Sequence, residues 1–150
     1  MSIQWKRLVI EIQPKASLFE PASEAAIAQA EKSVGYPFPT NLRDLLSQTN
    51  GVLDEWEYGP VRPLSRIVEH TLFMRSVDLA EEYDGSSVSM DTFVTIGTDP
   101  GGGLFGFFTD RQEGEGINYF EHEEGVFERP AYSLEQYLHY YFEFLSSFSE

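Results

Sequence analysis

The 150-residue chain has no cysteine, so disulfides, thiolate nucleophiles and cysteine-based zinc sites are all excluded. It is poor in positive charge: 10 Lys and Arg stand against 25 Asp and Glu, a formal net charge of −15. No apolar run approaches the roughly 20 residues that a membrane-spanning helix needs. No charged-then-apolar signal segment opens the sequence, and a cytoplasmic location is the expectation. The scarcity of Lys and Arg is uneven. Residues 1–75 carry nine acidic and eight basic groups, whereas residues 76–150 carry sixteen acidic groups and only two basic ones, Arg111 and Arg129. With no basic stripe to displace counterions, binding to nucleic acid or to an anionic membrane is disfavoured. The same field attracts a basic protein partner.

What is present is aromatic and apolar residue in quantity, 15% and 41% respectively, enough for one domain with a sizeable core. Trp5, Leu8, Val9 and Ile12 repeat at helical spacing, and Pro14 closes that element. A second helix is signalled by Ser23 as N-cap, Glu24 in the first turn, the stripe Ile27, Ala30 and Val34, and Gly35 as the stop. Pro37 and Pro39 stiffen a connector with Phe38 as a core plug between them. Thr40 is then expected to cap a third helix carrying Leu42, Leu45 and Leu46. Asn50-Gly51 follows this helix and reads as its stop rather than as a hairpin turn. Residues 52–63 hold at most one irregular strand. Ser65 is the expected cap of a helix reaching about Arg75, with Ile67, Thr71 and Met74 inward, and 78–91 reads as a polar surface loop.

The period then shortens. Residues 92–97 and 104–110 read as strands joined by TDPGGG, and 117–122 with 125–130 as a second hairpin. Leu104–Phe108 is apolar on both faces and so is expected to be a central, covered strand. Ser133 and Gln136 form a capping box for a last helix with Leu134, Leu138, Tyr141, Leu145 and Phe148 on one side. Helices, then consecutive strands, then a closing helix predict an α+β fold with an antiparallel or mixed sheet, all of 1–150 in one domain.

Candidate chemistry is sparse. DPGGG is followed by a strand and by no Lys-Ser/Thr, so it reads as a tight inter-strand loop and not as a phosphate cradle. His70, His122 and His139 match no metal-ligand spacing. No nucleophile elbow is present. The many carboxylate pairs carry no mark of burial that would tune them for acid–base work, so no catalytic, cofactor or metal residue is assigned. The favoured chemistry is partner binding. DEWEYG places Trp56 among acids, an apolar anchor with orienting carboxylates. The pool expected to hold the contacts is Asp54, Glu55, Trp56, Glu57, Glu81, Glu82, Asp84, Glu113, Glu115, Glu121, Glu123 and Glu124.

The stretch from Ser23 to Gly51, with Glu31, Gly35, Pro39, Leu42, Leu45, Leu46, Asn50 and Gly51 in order, resembles the opening signature of the SUKH superfamily, the cell-wall-assembly-regulator-like domains. VRPLSRI (61–67), the strand–glycine-loop–strand at 93–110 and the closing helix at 132–145 extend the resemblance over about 23–145. Where that family usually has an aliphatic residue before the helix-starting proline, this chain has Phe38. The resemblance implies an α+β fold and no shared catalytic residues. It also implies, for bacterial members, immunity proteins that neutralise a cognate toxin, often a nuclease. Two other readings stand beside it: an intracellular regulator or scaffold of the same family, and a small-ligand enzyme with a pocket near the glycine loop. A monomer is expected.

Overall fold

The computed structural model describes residues 3–54, 57–77, 90–110, 116–121 and 123–146. Helix α1 (Trp5–Ile12) forms as its apolar spacing predicts, and it buries Trp5 and Val9. It is fastened to α3 (Thr40–Gln48) by polar contacts: the Trp5 indole N–H donates to Asp44 at 3.0 Å, and its backbone N–H donates to the Gln48 side chain at 2.7 Å. Helix α2 (Glu24–Val34) starts where Ser23 accepts the Ala26 N–H at 3.0 Å and stops at Gly35, whose φ is 80°.

The connector from α2 to α3 is organised by Glu31 rather than by a hydroxyl cap. Its carboxylate accepts the Phe38 N–H at 2.6 Å and the Arg43 Nε–H at 3.1 Å, and Arg43 also reaches Glu24 at 3.0 Å. These two carboxylates hold the Arg43 pKa above its ordinary value. Thr40 is not a cap. Pro39 takes the N-cap position, with no side-chain hydrogen bond there.

Asn50-Gly51 is not a hairpin turn, and it does not end α3 in the expected way either. The helix closes at Thr49 in an extended conformation. Gly51 lies two residues on at φ 113°, and a Cβ there would stand 2.9 Å from the Pro63 nitrogen. Asn50 reaches across to accept the Leu64 N–H at 2.9 Å, so it caps α4 (Leu64–Arg75), the task expected of Ser65. Ser65 itself is exposed.

Two short strands, β1 (Ser17–Leu18) and β2 (Val52–Leu53), pair with each other. The main sheet is antiparallel in the order β3 (Phe93–Thr98), β4 (Leu104–Phe108), β5 (Ile117–Glu121) and β6 (Val126–Ala131). β4 is interior and buried along its whole length, as its uniform apolarity requires. Phe105 is fully buried against Tyr119, Tyr137 and Tyr141, with ring centroids 4.7 to 5.5 Å apart. Truncating such a ring to alanine costs about 3–5 kcal/mol. The last helix, α5 (Leu134–Ser146), starts at Ser133, whose hydroxyl accepts the Gln136 N–H at 3.1 Å. The Gln136 side chain accepts from Tyr132, one residue before the cap, at 2.8 Å.

The sheet separates two apolar clusters. The larger joins Val94, Ile96, Phe105 and Phe107 to the helices, including Tyr137, Leu138 and Tyr141 of α5. The smaller holds Met90, Phe93, Leu104, Phe108 and Phe120, with Met74 and Val77 of the α4 end and Phe127 against it. α4 is tied to β3 by Thr71, which is fully buried and accepts the Thr95 N–H at 3.0 Å. The free edge of β3 is covered by the segment 59–62. Thr98 N–H donates to Gly59 at 3.0 Å and Arg62 N–H donates to Ile96 at 2.8 Å. This approach needs Gly97, since a Cβ there would lie 2.3 Å from the Pro60 oxygen. Among the described residues, the two sheets and five α-helices form one α+β domain.

Candidate functional site

Drawing residues 59–62 onto β3 opens a cleft of about 620 Å³ between that segment, α4 and the β3–β4 loop. Glu57 and Tyr58 stand at one rim, both exposed. The C-terminal half of α4 supplies His70, Phe73 and Met74, and Leu104 and Phe120 come from the sheet. Phe73 is the most prominent apolar group of this wall, at 63% exposure. It falls off the buried stripe of α4, which runs through Leu64, Ile67 and Thr71.

The wall formed by the glycine loop is built around Asp99. Its side chain is almost fully buried, at 1% exposure. One carboxylate oxygen accepts the N–H groups of Gly101 at 2.8 Å and Gly103 at 2.9 Å, and the other accepts the Tyr119 hydroxyl at 2.8 Å. Burial and this carboxylate push the Tyr119 pKa upward. The loop amides that a phosphate would need are therefore already bonded to the protein's own acid. The expectation of a tight inter-strand loop holds, and the glycine loop is not a phosphate cradle.

The floor carries a cation. Arg62 is half-buried and its Nη1 lies 2.9 Å from His70 Nδ1. A guanidinium has only donors, so Nδ1 accepts and the His70 proton sits on Nε2. Burial first, then Arg62, lowers the His70 pKa. Burial, reinforced by nearby Arg66, lowers that of Arg62. Among the described residues no group of three His, Cys, Asp or Glu side chains is placed to hold a metal ion.

Of the acidic pool expected from the sequence, Glu57, Glu123 and Glu124 are exposed. Asp54 is half-buried, and its Oδ1 accepts the Tyr58 N–H at 3.0 Å. Glu121 is likewise half-buried and accepts the N–H groups of Glu123 at 3.0 Å and Glu124 at 2.7 Å. Glu55, Trp56, Glu81, Glu82, Asp84, Glu113 and Glu115 lie outside the described residues, as do His122, Phe148 and residues 78–89 of the expected surface loop. Of the pool members that are described, Glu57 alone lines the cleft. Arg62, Phe73 and Asp99 were not singled out from sequence. Phe73 had a signal in the off-stripe pair Leu72-Phe73; Arg62 had none.

The class defined by this architecture is a single α+β domain with an open cleft beside a glycine loop. More narrowly, the sequence pattern of the SMI1 / KNR4 family (SUKH-1) matches residues 21–140, and the chain belongs to that family. Proteins of this family are generally non-enzymatic immunity or regulatory proteins. No curated protein matches the chain.

Proposed function

We propose that the chain is a cytoplasmic, non-enzymatic immunity protein that binds and neutralises a basic toxin domain, a nuclease, of a bacterial polymorphic or contact-dependent toxin system. The observation that carries this reading is the charge asymmetry within a SUKH-1 chain: sixteen acids against two bases in residues 76–150. A nuclease domain has to be basic to hold its substrate, and an acidic antidote is drawn to that same surface. The exposed carboxylates Glu57, Glu123 and Glu124, with the undescribed members of the acidic pool, supply the steering field, and the exposed rings of Tyr58 and Phe73 supply apolar anchorage.

The test is a calorimetric titration with the terminal basic domain of any toxin gene found beside this one. One-to-one binding whose affinity falls about tenfold or more from low to high salt supports the reading. Absence of binding at low salt, or capture of a housekeeping protein in its place, sinks it.

A further inference from the structure

Arg62 is anomalous in so acidic a chain. Carboxylates outnumber cations 25 to 10, yet its half-buried guanidinium has no carboxylate partner among the described residues. Its one side-chain hydrogen bond among the described residues is to neutral His70, at 2.9 Å. The acids nearby are engaged elsewhere. Asp99 holds its own loop and Tyr119, while Glu69 pairs with Arg66 at 3.1 Å. Glu57 is exposed at the rim and makes no ion pair with Arg62. Four guanidinium N–H donors are thus left over, and the His70 Nε2–H is a fifth donor in the same corner. Beside them Phe73, Met74, Leu104 and Phe120 line the cleft, with Phe73 the most exposed of the four.

We propose that this corner receives one acidic side chain of the partner protein, an Asp or Glu followed by an apolar residue: the carboxylate on Arg62 and the apolar group on Phe73 and Leu104. The proposal rests on the partner-binding reading above. Charge complementarity selects the ligand. In a chain of net charge −15, a partner's carboxylate is repelled almost everywhere, and an unpaired half-buried arginine is the place that accepts one in a bidentate, charge-assisted bond. A phosphate is disfavoured, since a dianion meets stronger repulsion and finds the loop amides occupied by Asp99. The volume of about 620 Å³ falls within the usual range for small-ligand sites and accommodates a two-residue segment. The arrangement also gives specificity. Diffuse acidity attracts any basic protein, whereas a single inward cation rejects those without an acid in register.

The experiment is an NMR titration of the full-length, 15N-labelled chain with N-acetyl-Asp-Phe-amide and its neutral isostere N-acetyl-Asn-Phe-amide. The Asp peptide is expected to shift the Arg62 Nε–H and the amides of Gly102 and Leu104, and to bind at least fivefold more tightly than the Asn peptide. R62Q removes that preference, and R62K, which keeps the charge but loses the fork, retains part of it. Equal binding of the two peptides by the wild-type chain overturns the proposal without reliance on any variant; so does a preference that survives R62Q, or shifts confined to other surfaces. Tighter binding of 3-phenylpropionate than of the Asp peptide also overturns it, assigning the corner to a free acid. Neither peptide is basic, so this outcome and that of the toxin-domain titration are read separately.

Discussion

Asp99→Ala provides the sharpest check on how the cleft is built. The residue is at 1% exposure and accepts three hydrogen bonds of 2.8 to 2.9 Å, from Gly101, Gly103 and Tyr119. Bonds to a charged acceptor contribute about 1.5–3 kcal/mol each. They are not additive, and the loop relaxes toward water once the acid is gone, so the expected loss is about 3–5 kcal/mol in total. At a urea slope of about 2 kcal/mol/M this moves the unfolding midpoint down by about 1.5–2.5 M. Asp99→Asn keeps an oxygen for the two glycine amides and can donate its amide N–H to the Tyr119 hydroxyl. It should cost about 1–2 kcal/mol. Tyr119→Phe deletes one bond at a similar cost, and the pair is expected to couple by about 1–2 kcal/mol in a double-mutant cycle. Urea unfolding followed by circular dichroism measures wild type, the three single variants and the Asp99→Ala/Tyr119→Phe double variant. An Asp99→Ala midpoint within about 0.5 M of wild type, about 1 kcal/mol at that slope, would refute the reasoning, as would strict additivity with Tyr119→Phe.

Asn50→Ala removes the long-range cap of α4 and should cost about 1 kcal/mol by the same assay, with Ser65→Ala nearly silent. Glu57 holds φ at 69°, a strain of about 1–2 kcal/mol, of which glycine would return about 0.5–1 after its own entropy cost. Glu57→Gly should therefore raise the midpoint slightly, while Glu57→Ala should not. The pKa of His70 is lowered in the fold, so below about pH 6.5 the unfolded chain takes up a proton that the folded chain resists. That contribution is flat above pH 6.5 and falls as pH drops toward the lowered value; His70→Gln, compared by thermal melts from pH 8 to 5, should lose stability less steeply with acid. A parallel pair of curves would remove His70 as the cause.

The elements that sequence revealed best are those fixed by neighbours in the chain. Ser23, the stripe Ile27–Ala30–Val34 and Gly35 define α2 within a dozen residues, and the structure places each as that spacing requires. The double-sided apolarity of Leu104–Phe108 identified an interior strand in the same way. Errors fell on groups with a distant competitor. Thr40 and Ser65 are good local caps, but Pro39 and Pro63 take the cap positions, and the polar work is done by Glu31 for Phe38 and by Asn50 for Leu64. Asp99 could not be read as a loop organiser because Tyr119, which completes its bonding, lies on another strand. The cleft was hidden for the same reason, since Arg62, His70, Phe73 and Leu104 meet only after residues 59–62 have been drawn onto β3.

The covering of β3 by residues 59–62 also bears on self-association. An open strand border is a template on which another chain can continue the sheet. One border is closed here by the chain itself, through Gly59 and Arg62. The other, β6, carries Glu128, Arg129 and Pro130, and a proline cannot donate to an added strand. A sheet with four phenylalanines gathered on one face is thereby guarded against growing into fibrils from either side.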